Sequence, residues 1–378
     1  MSDIAAGAPS SRPPVRQLLG LTGLRGIAAW WVVIYHIKEY LPDGSPGWLR
    51  AACEHGNLAV DLFFVLSGFI ISYNYLPAFS RFSFIEYMRF LGIRLARIYP
   101  LHLFMIILYL ANPLAIALAS SRGGDVGRYN FLYYFMSIFL VQNWGFADHL
   151  AWNIPAWSIS TEWMAYLLFP LLAWIAKKNS ANIFYTIIGV GIPLALLGII
   201  LNLMVETLGS DIPRNGLVRC LCEFASGAFV YRLWLAGGKS KVIKGSACGL
   251  LAICTALFFV TGIADIWIVP AIWACTIFLL ATEPAAIERM FEHRLVEIIG
   301  LWSYSTYLVH YFVRDWVKFL LVRDGLSNGA ILFCYASATL VASGLLYRFV
   351  ELPGRRSGRR LVERFVGNPA AGGNGRPG

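Results

Sequence analysis

Residues 21–40 read LTGLRGIAAWWVVIYHIKEY, a long apolar stretch that contains one arginine and one histidine. An apolar run of about 18 or more residues is the sequence signal of a membrane-spanning helix. Such runs recur as far as Val350, and 58% of the residues are apolar whereas 14% are charged. In soluble domains about a quarter of the residues are charged. The sequence therefore predicts an all-α integral membrane protein.

About ten transmembrane helices are predicted from the apolar runs. The predicted spans lie near 21–40, 58–76, 98–119, 157–176, 183–205, 217–236, 243–263, 266–282, 295–320 and 329–350. Segment 77–97 carries four arginines against one acid. It is predicted to be cytoplasmic because Lys and Arg accumulate in cytoplasmic loops, and both termini are then cytoplasmic too. Segment 120–156 must begin and end outside, so its short apolar run, Tyr129–Val141, is expected to be interfacial or re-entrant.

Polar segments flank the predicted transmembrane domain, which covers residues 18–353. Residues 1–17 are expected to be a disordered cytoplasmic N-terminus without a cleavable signal peptide. Residues 354–378 are expected to be a disordered basic cytoplasmic tail. The net charge of +10 is carried by short segments between apolar runs. This pattern is typical of topology signals, so membrane lipids and no nucleic acid are the expected partners. The oligomeric state stays open.

Arg25 and His36 lie eleven residues apart in the first predicted span. Since a helix rises about 1.5 Å and turns about 100° per residue, the two side chains are about 16 Å apart along the axis and share one face. That face is predicted to carry a cation near the cytoplasm and a titratable imidazole near the opposite surface.

Ionisable groups in the predicted spans form two layers, and such groups are usually functional because the bilayer disfavours them. The outer layer contains His36, Asp61 and Glu162. His36 is the general-base candidate because imidazole titrates near neutral pH. Asp61 or Glu162 would orient it, as a carboxylate does in a catalytic triad. The alternatives are an interfacial histidine and acids that simply face water.

The inner layer contains Arg25, Arg94, Arg97 and Glu351. Arg94 and Arg97 share a helix face, and paired guanidiniums suit a phosphorylated ligand. Juxtamembrane arginines also serve as plain topology signals, and spacing alone does not separate these interpretations. The cysteines and the remaining histidines show no metal-ligand spacing, so neither a metal nor a disulfide framework is predicted.

Six motifs in chain order resemble those of the membrane acyltransferase 3 family. They are LRGIAA with a downstream YH (24–29 and 35–36), VDLFFVLSGF (60–69), RLARIYP (94–100), WSISTE with a downstream FP (157–162 and 169–170), SYSTYLVH (303–310) and YRFVELP (347–353). Any one of them is a weak signal, but the set covers roughly residues 18–356. Trp163 departs from the pattern, since many members carry a second acid there, and Glu162 is left to act alone.

The resemblance implies a membrane O-acyltransferase, commonly an O-acetyltransferase, that moves an acyl group from acyl-coenzyme A to a hydroxyl of a carbohydrate or similar acceptor. Acetyl-CoA is the expected donor. By this resemblance His36 is the catalytic histidine, and Arg25, Arg94 and Arg97 engage the donor. The motif residues that carry over without an assigned role are Ser67, Gly68, Trp157, Ser158, Tyr307, His310 and Glu351.

Several points stay open at this level. The acceptor could be an exopolysaccharide, an O-antigen or a lipid-linked saccharide, and the expected location is a bacterial inner membrane. Direct attack on the donor and a covalent acyl-His36 intermediate are both compatible with the residues. The competing class is a secondary transporter or channel for a glycan or proton, in which the buried charges would form a relay.

Overall fold

The computed structural model of the chain describes residues 19–80, 82–119, 126–178, 182–261, 264–282, 293–322 and 326–366. These residues form helices and connecting loops, with no strand among them. The α-helices are α1 (Leu19–Tyr35), α2 (Gly47–Glu54), α3 (Ala59–Tyr75), α4 (Phe84–Tyr109), α5 (Ala111–Ala119), α6 (Phe131–Ile138), α7 (Trp157–Lys177), α8 (Ile183–Asn202), α9 (Ile212–Gly237), α10 (Lys241–Thr261), α11 (Asp265–Thr282), α12 (Arg294–Leu321), α13 (Asn328–Leu346) and α14 (Leu352–Val366).

Seven of the described helical segments are long and apolar enough to cross a membrane. They are Gly56–Tyr75, Phe84–Leu118, Ile154–Lys177, Ile183–Asn202, Lys241–Val260, Asp265–Thr282 and Asn328–Val366. The predicted all-α membrane architecture is therefore confirmed. Three further predicted spans coincide with α1, which has 17 residues, and with α9 and α12, which contain several charged side chains. Ten crossings and two cytoplasmic termini stay predictions.

The short apolar run Tyr129–Val141 contains helix α6 and part of a loop. The eight residues of α6 extend about 12 Å, well short of the roughly 30 Å of bilayer hydrocarbon. The loop that follows returns to the start of α7. There the backbone N–H of Asn143 donates to Ser160 Oγ at 3.1 Å, and the Trp144 indole donates to the Ser160 carbonyl at 3.0 Å. The loop is thus hydrogen-bonded to the first turn of α7, and a non-crossing run stays a prediction.

Glycines let two helix pairs meet at their backbones. A methyl group added at Gly26 of α1 would lie 2.7 Å from the backbone nitrogen of Gly300 in α12. A methyl group at Gly68 of α3 would collide with the backbone of Phe224 in α9. Small residues at such crossings allow the close approach that stabilises helix pairs in membranes. The place of Gly68 in its motif is therefore explained by packing.

The basic C-terminal segment differs from the predicted disorder. A π-helical turn, Tyr347–Glu351, leads from α13 into α14, which is helical through Val366. Gly354 and Gly358 of α14 lie against Pro100 and Ala96 of α4. These tertiary contacts hold a helix that composition alone does not predict. Residues 367–378, and the predicted disordered N-terminus 1–17, lie outside the described residues.

Candidate active site

Arg25 and His36 both meet α12, at positions two to three helical turns apart. The Nε of Arg25 donates to Ser303 Oγ at 2.8 Å, and its Nη2 donates to the Gly300 carbonyl at 2.9 Å. The ring of His36 lies 5.2 Å, centre to centre, from that of His310. The two side chains thus lie along one helix interface, as the eleven-residue spacing predicted. Below, the "arginine end" is Arg25, Arg94, Arg97, Glu351 and Arg355, and the "histidine end" is His36, His310 and Tyr311.

The histidine end is held mainly by ring contacts. His36 follows directly after α1, and its ring also lies 5.1 Å from that of Tyr311, at right angles. His310 is fully buried, and its Nδ1 lies 3.3 Å from the Thr306 carbonyl oxygen. Its Nε2 is buried without a hydrogen-bond partner among the described residues. Two imidazoles therefore face each other where the sequence predicted one, and a free ring nitrogen is available to a ligand.

Asp61 does not contact His36 in the described structure, contrary to one of the two predicted pairings. Its two carboxylate oxygens accept from Nε and Nη2 of Arg219 at 2.6 and 2.7 Å. Both side chains are buried, and the guanidinium binds the carboxylate in bidentate fashion. Arg219 also donates to the Leu208 carbonyl at 2.8 Å. Asp61 is thus held by Arg219 of α9 and makes no contact with the His36 imidazole.

Glu162 does not contact His36 either. Its carboxylate accepts hydrogen bonds from the hydroxyls of Ser67 and Tyr166. The Tyr166 hydroxyl in turn accepts from Nη2 of Arg94 at 2.7 Å, and the Arg94 guanidinium lies 4.6 Å from the tyrosine ring centre. Glu162 therefore belongs with the arginines, through one tyrosine. Ser67 of α3 therefore serves as a hydrogen-bond donor to the Glu162 carboxylate.

The arginine end gathers side chains from α1, α4 and the C-terminal turn. Nη1 of Arg97 lies 3.8 Å from Oε1 of Glu351, whose Oε2 accepts from Ser305 at 2.7 Å. Arg355 of α14 is close enough to interact electrostatically with Arg97 and Glu351. Arg25 experiences the charges of Arg94, Arg97 and Arg355. Guanidiniums thus outnumber carboxylates here, which produces a site of net positive charge suited to an anion.

Tyr307 lies beside the histidine end. Its hydroxyl donates to the Pro155 carbonyl at 3.0 Å and lies 2.9 Å from Ser158 Oγ. Its ring centre is 5.9 Å from that of His310 and 5.8 Å from that of Phe63. The WSISTE motif therefore contacts the SYSTYLVH motif through Ser158. Trp157 packs beside this contact, with its ring 5.7 Å from the Arg219 guanidinium.

Some residues of this arrangement were missed at the sequence level. They are Tyr166, Arg219, Tyr311 and Arg355. Arg219 could have been found, because it is a charge within a predicted span and such charges need a partner. Arg355 was assigned to a disordered tail. The two tyrosines carry no local signal, since aromatic residues are frequent throughout membrane proteins.

Comparison with known proteins identifies the family. The model of one protein family, described as "Acyltransferase domain", matches residues 18–348. The chain belongs to this acyltransferase family. The match ends at the start of the π-helical turn, so it covers the histidine end and the three arginines Arg25, Arg94 and Arg97. Glu351 and Arg355 follow the matched residues. No solved structure shows a significant match to the chain.

The O-acetyltransferases OatA of Staphylococcus aureus strains NCTC 8325 and COL are similar to this acyltransferase. Each is 27% identical to it over an alignment of 378 positions, gaps included, which covers 91% of this chain and 58% of the relative. The chain thus spans under two thirds of the length of these relatives. The likeness covers the membrane domain described here and supports membership of the family.

Proposed function

We propose that this acyltransferase is a membrane O-acetyltransferase that moves an acetyl group from cytoplasmic acetyl-CoA to a hydroxyl of a carbohydrate. The acceptor class is an exopolysaccharide, O-antigen or lipid-linked saccharide, and the location is a bacterial inner membrane. One observation carries the proposal: Arg25, one of a group of arginines, and the ring pair of His36 and His310 lie along the same α1–α12 interface, within an acyltransferase domain.

The arginine end would bind the donor. Coenzyme A is a cytoplasmic polyanion, and guanidiniums bind phosphate in bidentate fashion. Its pantetheine arm extends roughly 15–20 Å, comparable with the distance of about 16 Å between Arg25 and His36 along α1. A donor whose phosphates contact the arginines can therefore present its thioester near the histidine end. Glu162 is proposed to position Arg94 through Tyr166, because these three groups are hydrogen-bonded in series.

The histidine end would perform the transfer. A nitrogen of His36 removes the proton of the acceptor hydroxyl, and the oxygen attacks the thioester carbonyl carbon. The carbon–sulfur bond then breaks, and the coenzyme A thiolate leaves and takes up the proton from the His36 imidazolium. His310, with its unpartnered Nε2, is proposed to orient the acceptor hydroxyl. Transfer through an acetyl-His36 intermediate is the alternative order of the same steps.

The test is a transfer assay with radiolabelled acetyl-CoA and purified protein in lipid nanodiscs. We expect donor consumption in the wild type and its loss in His36→Ala, with unchanged thermal unfolding. The matched control is His149→Ala, because His149 is a half-exposed histidine that pairs with Asp148. Ordinary turnover in His36→Ala would reject the proposal. Acetylated His36 after incubation with donor alone would exclude the direct order of steps.

A further inference from the structure

A cavity of about 210 Å³ opens beside the histidine end. Its wall is formed by α5, by the turn Val126–Tyr129 and by the last turns of α12. None of the motifs that resemble the acyltransferase family contributes to this wall. The reaction proposed for the arginine and histidine ends therefore does not use this cavity.

One aromatic ring separates the cavity from His36. The guanidinium of Arg314, which lines the cavity, lies 3.7 Å from the ring centre of Tyr311. That of Arg128 lies 5.2 Å from the same ring. The Tyr311 ring contacts His36 at 5.1 Å. The arginines of the cavity and the proposed general base thus contact the same aromatic ring, that of Tyr311.

The charges of the cavity are only partly compensated by described residues. Arg128 and Arg314 share a single carboxylate, that of Asp315, at 2.5 and 3.1 Å. The Nε atoms of both arginines are buried and have no hydrogen-bond partner among the residues described. Lys318, a further cation of the wall, pairs with Glu39. Two guanidiniums with one acid leave the wall of the cavity with a net positive charge.

Aromatic rings line the rest of the wall. They belong to Tyr129, Trp316 and Phe319. The indole N–H of Trp316 donates to Asn112 Oδ1 at 2.9 Å, which fixes the orientation of that ring. Ring faces supply a rigid apolar surface for the C–H face of a sugar, while a few polar groups fix its orientation. Rings combined with arginines suit a saccharide that carries a negative charge.

We propose that this cavity is an acceptor subsite that binds an anionic saccharide unit, with a carboxylate or phosphate on Arg128 and Arg314 and the sugar ring against the aromatic wall. The inference rests on the proposed function, since it names the class of acceptor that the histidine end acetylates. A hydroxyl of the neighbouring sugar unit then reaches past Tyr311 to His36.

The test measures binding directly and needs no turnover. Two pairs of probes are titrated into the nanodisc-embedded protein by calorimetry. The first pair is tetragalacturonate and its carboxyl-reduced neutral counterpart, and the second is galactose 1-phosphate and free galactose. We expect at least one anionic probe to bind about tenfold or more tightly than its neutral partner. The two arms distinguish carboxylate from phosphate. Equal affinity for charged and neutral probes would overturn the inference.

Two variants locate the binding. In Arg128→Gln the preference for the anionic probe should fall about tenfold, and in Arg214→Gln it should stay within twofold. Arg214 is the matched control because it is an exposed arginine that pairs with Asp211. Since Arg128→Gln also removes a partner of Asp315, Phe319→Ala serves as the second variant. It should weaken charged and neutral probes alike by about fivefold. An unchanged preference in Arg128→Gln, with Phe319→Ala also without effect, would reject this cavity.

The outcomes also separate this inference from the proposed function. A charge preference that depends on Arg128, in a protein that transfers no acetyl group from acetyl-CoA, would retain the saccharide site and reject the donor reaction. Acetyl transfer to saccharides, combined with equal affinity for charged and neutral probes, would retain the donor reaction and reject the anionic saccharide site.

Discussion

The two ends of the α1–α12 interface are built by different forces. At the arginine end, Arg25 and Arg94 are held by hydrogen bonds to a hydroxyl, a carbonyl and a tyrosine. At the histidine end, His36 is held by ring contacts, and the Nε2 of His310 has no partner in the described structure. Fixed charges in a hydrogen-bonded frame suit a polyanionic ligand, whereas imidazoles among rings stay available for proton transfer. The contrast supports the proposed division, in which the arginine end binds the donor and the histidine end performs the transfer.

The largest expected effect concerns Asp61, which the contrast places with the fold and not with the histidine. Asp61→Asn leaves the buried Arg219 without its counter-charge, and breaking such a pair costs about 3–5 kcal/mol. We expect a large fall in the thermal unfolding temperature in nanodiscs. Asp43→Asn, at an exposed position, is the control. If Asp61→Asn keeps wild-type stability but loses acetyl transfer, Asp61 acts with the histidine end and not in the fold.

The next effect concerns His310. His310→Gln removes the ring against which His36 packs, and misplacement of a catalytic group by about 1 Å can lower the rate about 100-fold. We expect a fall of that order in kcat, while the equilibrium Kd for acetyl-CoA stays within about twofold. Quenched time-course assays of acetyl transfer measure kcat, and equilibrium titration measures the Kd for acetyl-CoA. A weaker donor affinity with normal kcat would contradict the division between the ends.

The next prediction concerns Arg97, at the arginine end. Arg97→Gln should weaken acetyl-CoA binding about 10- to 100-fold, because a hydrogen bond to a charged group contributes about 1.5–3 kcal/mol. Acetyl-pantetheine, which lacks the nucleotide and its phosphates, should bind equally well to both proteins. Arg356→Gln, at an exposed position of α14, is the matched control. If acetyl-pantetheine loses affinity to the same extent, Arg97 does not recognise the phosphates.

The smallest effect is expected from Ser303. Ser303→Ala removes one acceptor of the Arg25 guanidinium, while the Gly300 carbonyl remains. A single neutral hydrogen bond contributes about 0.5–1.5 kcal/mol, so acetyl-CoA affinity should fall by about tenfold at most. Titration of labelled donor checks this. A fall in kcat without a change in affinity would show that the two ends are coupled more tightly than the contrast implies.

The sequence predicted the helical membrane architecture and the shared face of Arg25 and His36, since both depend on local periodicity. It could not predict the partners of Asp61 and Glu162. The Asp61–Arg219 pair joins residues 158 positions apart, and the Ser67–Glu162 contact joins residues 95 apart. Such pairs depend on which helices are neighbours, and one chain's hydropathy carries no information on that. The helical form of α14 was missed for the same reason, because contacts with Pro100 and Ala96 stabilise it.

The Gly26–Gly300 contact has a consequence for the size of the donor. Because neither position has room for a methyl group, a slide of α1 along α12 by one residue would drive a side chain into backbone. The distance of about 16 Å between Arg25 and His36 is set along α1 itself, and the glycine contact keeps the two side chains in register with Ser303 and His310 of α12. Under the proposed function this interface acts as a molecular ruler, which selects donors by the length of the arm between phosphate and thioester, whatever the acyl group at its tip.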